Sequence, residues 1–165
     1  MNRKADRVYL PVSGLLPVDK PTGMTSHDVV HKIRKQFNIK KVGHGGTLDP
    51  AATGLLIILL GKGTKASNWV MTGDKGYAGT LRLGQTTSTQ DAEGEILEER
   101  PTDALTETAI REAFTPYMGD IEQIPPMVSA IKKGGVPLYK LAREGKVIER
   151  EPRPITIHEM NISRV

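Results

Sequence analysis

Cysteine is missing altogether from this 165-residue chain. Disulfides, thiolate-held zinc, iron–sulfur clusters and cysteine nucleophiles are therefore excluded together. Aromatic residues are scarce, at 4%, so any core must be built mainly from aliphatic side chains. Long apolar runs are lacking too. The longest purely aliphatic stretch, Leu55 to Leu60, falls far short of the roughly 20 residues that a membrane-spanning helix needs. The opening residues, MNRKADRVYL, are basic but carry no apolar h-region, which reads against a secretory signal. No repeat or low-complexity tract interrupts the chain. What remains is a soluble globular composition, 38% hydrophobic and 25% charged, of a length that suits one domain. No membrane partner is expected, and the cytoplasm is the expected location.

Charge is present in both signs but unevenly. Residues 1–86 hold 13 Lys/Arg and 5 Asp/Glu, a net of +8, whereas residues 87–165 hold 10 and 14, a net of −4. A basic half beside an acidic half points to a polyanion on one face, although a solvated surface with chance asymmetry gives the same count.

Residues 1–13 read as a flexible basic arm. Gly14–Val18 reads as a short strand, followed by turn chemistry in Asp19-Lys20-Pro21-Thr22-Gly23. Thr25 or Ser26 then caps a helix whose apolar face is Val29, Val30, Ile33 and Phe37, with Asp28 in its first turn and Asn38 as its stop. The glycines of Gly43-His44-Gly45-Gly46 favour neither helix nor strand. Leu55–Leu60 reads as a buried strand, and Thr64 as the cap of a short helix through Met71. Tyr77–Leu83, Ile96–Leu97, Ser129–Lys132 and Ile155–Val165 read as strands. Helices are expected from Thr106 through Tyr117 and over Pro137–Glu144, the latter closed by Gly145. Helices and strands do not alternate regularly, so the expected class is α+β rather than a doubly wound parallel sheet.

Several motifs fail on spacing. Gly43-His44-Gly45-Gly46 is not a dinucleotide fingerprint, and Gly61-Lys62-Gly63-Thr64 has Gly63 where a phosphate loop needs Ser or Thr. His27 and His31 are four residues apart, but no Glu occupies the H-E-x-x-H position, and a solvated helical pair is the expected reading. Asp49 is different. It follows a glycine run, precedes Pro50 and lies just before an apolar strand. A fixed, ionised carboxylate there can serve as a nucleophile or base, although the local sequence by itself favours a simple Asx-type turn before proline.

Ordered blocks then accumulate. Lys20-Pro21-x-Gly23-x-Thr25-Ser26 precedes Gly43-His44-Gly45-Gly46-Thr47-Leu48-Asp49-Pro50-x-Ala52-x-Gly54. Lys75-Gly76-Tyr77 and Leu83-Gly84 come next. Gln123-Ile124-Pro125-Pro126-Met127-Val128-Ser129-Ala130-Ile131-Lys132 and Leu138-Tyr139-x-x-Ala142-Arg143-x-Gly145 complete the set. In this order the blocks resemble the bacterial TruB-type tRNA pseudouridine-55 synthase family, from about Gly14 to the last residue.

The resemblance implies a pseudouridine-synthase-like fold: a mixed, largely antiparallel sheet flanked by helices, here apparently truncated. It implies an isomerase that converts the T-loop uridine of tRNA to pseudouridine without cofactor or metal, with the tRNA T-arm as partner and a monomeric enzyme. Asp49 is then the essential catalytic carboxylate. It acts on the ribose anomeric carbon, on the uracil ring or through a glycal, and the sequence does not choose among these. His44 and Tyr77 are implied beside the everted nucleotide, with Gly46, Thr47 and Leu48 completing the substrate loop. Tyr77 would stack on the base, although a tyrosine on a strand is equally a core residue. Lys20, Lys32, Arg34, Lys35, Lys40, Lys41, Lys62 and Lys65 would meet RNA phosphates.

Two departures qualify the resemblance. The family's T-D-T-x-D reads Thr87-Ser88-Thr89-Gln90-Asp91 here. The G-T-Y-[IV]-R block and the small RNA-binding domain of the family are not in the sequence. Residues 14–165 are therefore expected to be the N-terminal part of a catalytic domain. The alternative function is a non-catalytic RNA-binding fragment that needs the missing part for chemistry.

Overall fold

A computed structural model of the chain describes residues 8–129 and 131–165. These divide into two compact units, one ending at Ala78 and the other running Gly79–Val165. Every strand pairing among the described residues is antiparallel, as an α+β reading requires.

The first unit is built on three strands and a helix. β1 (Gly14–Lys20) leads to α1 (Ser26–Gln36), β2 (Val42–His44) and β3 (Gly54–Leu60). The sheet order is β1-β3-β2. β1 pairs with β3 along its whole length, from Gly14 opposite Leu60 to Lys20 opposite Gly54. Strand alternation sends Leu16, Val18 and Lys20 to one face, where they join Leu56, Ile58 and Leu60. α1 closes that face with Val29, Val30 and Ile33, and Ile39 and Val42 complete the cluster. Ile58, at its centre, is 0% exposed. Burying each such aliphatic side chain contributes about 1.5–3 kcal/mol, so this cluster dominates the stability of the unit.

α1 starts where the sequence places it. Thr25 is its N-cap and accepts from the Asp28 amide at 3.1 Å, while the Asp28 carboxylate accepts from the Thr25 amide at 2.9 Å and from its hydroxyl at 2.6 Å. This reciprocal capping box satisfies donors that the helix itself leaves free. Asn38, with φ of 49°, ends the segment in the left-handed region. A 3-10 turn (Gly61–Ala66) and α2 (Ser67–Thr72) follow β3. Thr64 lies inside the 3-10 turn, its hydroxyl donating to the Gly61 carbonyl, so it does not cap α2.

The second unit contains β4 (Gln85–Thr87), β5 (Ile96–Glu99), α3 (Glu107–Phe114), a 3-10 turn (Thr115–Tyr117), β6 (Gly119–Gln123), β7 (Lys132–Lys133), β8 (Val136–Pro137), α4 (Leu138–Arg143) and β9 (Arg153–Ile157). Its strands form three two-stranded ribbons, β4-β5, β6-β9 and β7-β8. Leu138 is its one fully buried aliphatic side chain among the described residues.

Several expectations are corrected. Asp19 and Lys20 belong to β1, because the pairing with β3 carries on through Leu55 and Gly54. Gly43 and His44 form a strand despite the glycines, held opposite Leu59 and Ile58. Tyr77–Leu83 is not a strand: no partner pairs with it among the described residues, and strand propensity without a ladder does not make a strand. Met127–Ser129 is turn and bend, with Ala130 outside the described residues. β9 stops at Ile157 because its partner begins at Gly119, leaving 158–165 irregular. Of the expected arm, residues 1–7 lie outside the described residues. The remainder is tied down: Leu10 N–H donates to the Asn38 carbonyl at 3.0 Å, Asn38 Nδ2 donates to the Val8 carbonyl, and Ser13 Oγ accepts from the Lys62 amide.

Candidate active site and RNA-facing surface

The loop between β2 and β3 carries Asp49, and it is held by Lys20 at the end of β1, Thr22 and Gly23 in the turn that follows, and Ser26 at the start of α1. Lys20 is 0% exposed. Its Nζ donates to the carbonyls of Pro21 at 3.0 Å, Met24 at 2.7 Å and Pro50 at 3.3 Å. The Gly23 amide donates to the same Pro50 carbonyl at 2.8 Å, and the Thr22 hydroxyl to Ala51 O at 3.3 Å. Ser26 Oγ accepts from the Leu48 amide at 2.9 Å and donates to the Leu48 carbonyl at 3.2 Å. The Lys-Pro-x-Gly-x-Thr-Ser block is thus a clamp on the residues flanking Asp49. The Asp49 side chain itself is exposed.

One glycine of this loop, Gly45, serves close packing. A Cβ on Gly45 would lie 2.4 Å from Val70 Cγ1, so the missing side chain lets α2 sit against the loop. The Gly45 amide meanwhile donates to Ile57 O at 2.8 Å, extending the edge of β3.

Beside the clamp is a cleft of about 470 Å³ lined by Leu48, Ala51–Leu55 and Asp74–Ala78. Tyr77 is on this lining and 77% exposed, which places an aromatic face at the border of the loop that holds Asp49. The segment reaches that position from the end of α2, where Lys75 Nζ donates to the carbonyls of Met71 at 3.2 Å and of Gly73. An ammonium at a helix C-terminus meets both the free carbonyls and the negative end of the dipole.

The other expected site residues are distributed as follows. Leu48 shares the cleft with Tyr77, its side chain also packing on the aliphatic cluster. Gly46 is half-buried and Thr47 exposed, neither on the cleft lining. His44 is half-buried on β2 opposite Ile58, with a buried Nδ1 that no hydrogen bond satisfies among the described residues.

Of the basic residues, Lys32, Lys35, Lys40, Lys41, Lys62 and Lys65 are exposed. Lys32 and Lys35 line a shallow hollow on α1 with Met24, Asp28, His31 and Gln36. Lys20 is a correction: its ammonium is sealed and fully occupied by carbonyls, so it cannot meet a phosphate. Arg34 is half-buried, with Nη2 donating to the Val42 carbonyl at 3.0 Å, so its guanidinium serves the fold first. Ser26 and Thr22 were missed as loop-holding residues. The signal was the pair of adjacent hydroxyls in Thr25-Ser26, where one suffices for a helix cap. Among the described residues no group of three or more His, Asp or Glu is placed to hold a metal ion, and no helix is long and apolar enough to cross a membrane.

The chain is 52% identical over 153 residues to the tRNA pseudouridine synthase B of Opitutus terrae, covering 93% of this chain and 64% of that protein. It is 45% identical over 161 residues to the same-named protein of Saccharophagus degradans, covering 98% and 51%. The chain thus spans about half to two thirds of the length of the curated relatives it matches. The crystal structure of a Cbf5–Nop10–Gar1 complex contains a chain that superposes with a TM-score of 0.54 at 25% identity, covering 91% of this chain and 36% of that one. The family model for the N-terminal domain of TruB family pseudouridylate synthases matches residues 34–165, and to that family the chain belongs.

Proposed function

We propose that this chain carries the reacting carboxylate of a tRNA pseudouridine synthase acting on the T-loop uridine at position 55, with Asp49 as that group. The observation that carries the reading is the exposed Asp49 on a loop clamped from both sides, next to a cleft bordered by Tyr77. The names of the relatives support tRNA as the substrate.

The chemistry balances internally. The bond from ribose C1′ to uracil N1 breaks, the base turns, and C1′ bonds to C5. The proton on C5 leaves to solvent while N1 gains one, so no oxidant or reductant is consumed. Asp49 serves by attack on the sugar, by attack on the base, or as the base of a glycal route. A uridine must leave its stack to reach the carboxylate, at about a few kcal/mol. Stacking on one aromatic ring returns about 1–3 kcal/mol, which fits Tyr77 to that task. His44 at the end of β2, with Gly46, Thr47 and Leu48 after it, forms the stretch of chain leading to the carboxylate. Lys32, Lys35, Lys40, Lys41, Lys62 and Lys65 supply phosphate contacts around the T-arm. The enzyme is taken as a cytoplasmic monomer.

The test is tritium release from 5-tritiated T-arm RNA by the protein with Asp49 intact, Asp49→Ala and Asp49→Asn. Both variants are expected to lose about 10⁴-fold in rate. Equal rates in all three would remove Asp49 from the chemistry. The share of its relatives' length that the chain spans motivates a second reading, in which these residues alone bind RNA without converting it. Salt-dependent binding by residues 1–165 with no tritium release would select it.

A further inference from the structure

We infer that Ser26 is a positioning residue for Asp49, holding the preceding peptide so that the carboxylate is presented in one orientation. This rests on the reading of Asp49 as the reacting group. Ser26 is 2% exposed and is the first residue of α1. Its hydroxyl both accepts from the Leu48 amide and donates to the Leu48 carbonyl, across 22 residues of sequence. That pair of bonds is what an antiparallel neighbour strand would supply. Residues 47–49 have no such neighbour, being neither helix nor strand. One hydroxyl takes the place of a ladder.

Its effect on Asp49 follows from chain geometry. The Leu48 side chain is seated on the aliphatic cluster, and its peptide groups on both sides are fixed by Ser26. The next side chain is turned away from the core and is exposed, as Asp49 is. Freeing the Leu48 peptide would let the carboxylate swing without unfolding the sheet. The two ordinary tasks of such a serine are already filled or closed. Thr25 is the helix cap, and burial keeps Ser26 from touching RNA. The helix that carries it is itself braced by the Thr25–Asp28 capping box.

The test uses the full-length protein and T-arm RNA, comparing wild type, Ser26→Ala and Asp49→Ala in single-turnover rate and in RNA affinity. Misplacing a reacting group by about 1 Å can remove about a hundredfold in rate, so Ser26→Ala is expected to lose about tenfold to a hundredfold with RNA affinity within threefold of wild type. A smaller loss in rate, or a loss carried by affinity, overturns the inference. Should Ser26→Ala not fold, hydrogen exchange on wild type decides. The Leu48 amide is expected to be protected well beyond that of Thr47, and equal, fast exchange at both overturns it. If Asp49→Ala retains full activity, the reading of Asp49 fails instead. If Asp49→Ala is dead, only the role of Ser26 is at stake.

Discussion

Lys20 Nζ reaches the carbonyl oxygen of Pro50 at 3.3 Å, joining the last residue of β1 to the residue after Asp49. The same ammonium holds Pro21 O and Met24 O, and among the described residues no carboxylate pairs with it. Replacing it with methionine keeps the stem and strands three carbonyls. Lys20→Met is expected to destabilise the protein by about 2–3 kcal/mol, read as a lower urea midpoint at unchanged slope. Its loss of activity should appear in rate rather than in the salt dependence of RNA binding.

The exposed lysines behave in the opposite way. Lys32→Gln and Lys35→Gln remove charges from an exposed helix face without touching the core. Each is expected to leave stability unchanged and to lower the slope of log affinity against log salt by about 0.7–0.9 if it meets one phosphate. Filter binding over a salt series measures this. Unchanged slopes in both would move the RNA off α1.

Gly45 is set by a clash distance. A methyl there would stand 2.4 Å from Val70 Cγ1, so Gly45→Ala is expected to destabilise by about 1–3 kcal/mol, with Val70→Ala recovering part of it. At Gly63 the obstruction is the Gly14 carbonyl, 2.3 Å from the position of a Cβ. Backbone cannot be trimmed, so Gly63→Ala should be the worse of the two and have no second-site rescue. Thermal melts of Gly45→Ala, of Gly45→Ala combined with Val70→Ala, and of Gly63→Ala check both statements.

Acid sensitivity should run through the capping box. The Thr25 hydroxyl, then the Thr25 amide, hold the Asp28 carboxyl below its ordinary range. A group whose folded value is depressed contributes stability that is present above its unfolded value and lost as pH falls through the folded one. Thr25→Ala is expected to lower stability by about 1 kcal/mol at neutral pH. It should also flatten the decline on the acid side, where the part of the wild-type advantage that rests on the Asp28 carboxylate is lost while the bond from the Asp28 amide to the Thr25 hydroxyl stays. Melting temperatures across pH 2–7 measure both.

The two units should differ in independence. The first owns the aliphatic cluster, while the second contributes Leu138 alone as a fully buried aliphatic among the described residues. A polypeptide of Gly79–Val165 is expected to unfold without a cooperative urea transition, whereas one ending at Ala78 should retain a transition.

What the sequence reveals here is what local chemistry decides. The helix over Ser26–Gln36 was legible because Thr25, Asp28 and the Val29-Val30-Ile33 face agree with one another. β3 was legible because six aliphatic residues lie between Gly54 and Gly61. Asp49 stood out by its position between a glycine run and a proline. The contents of the clamp were not legible. A lysine among surface lysines gives no sign that it is the buried one; only the register of β1 against β3, which turns Lys20 inward, decides that. Tyr77–Leu83 misled for the converse reason, since its strand-like composition has no ladder to join.

The bonds that restrain the Asp49 loop bridge separations of 22 and 30 residues. None is available to a short stretch of chain, and β1 cannot complete its pairing until Leu60 exists to meet Gly14. Closing such a span precedes any reward for doing so, which makes contacts of this kind slow to form. On the ribosome, then, the Asp49 loop emerges after residues 20–26 that clamp it, and its final steadiness waits only for the strand that follows it, whose pairing with β1 seats Lys20.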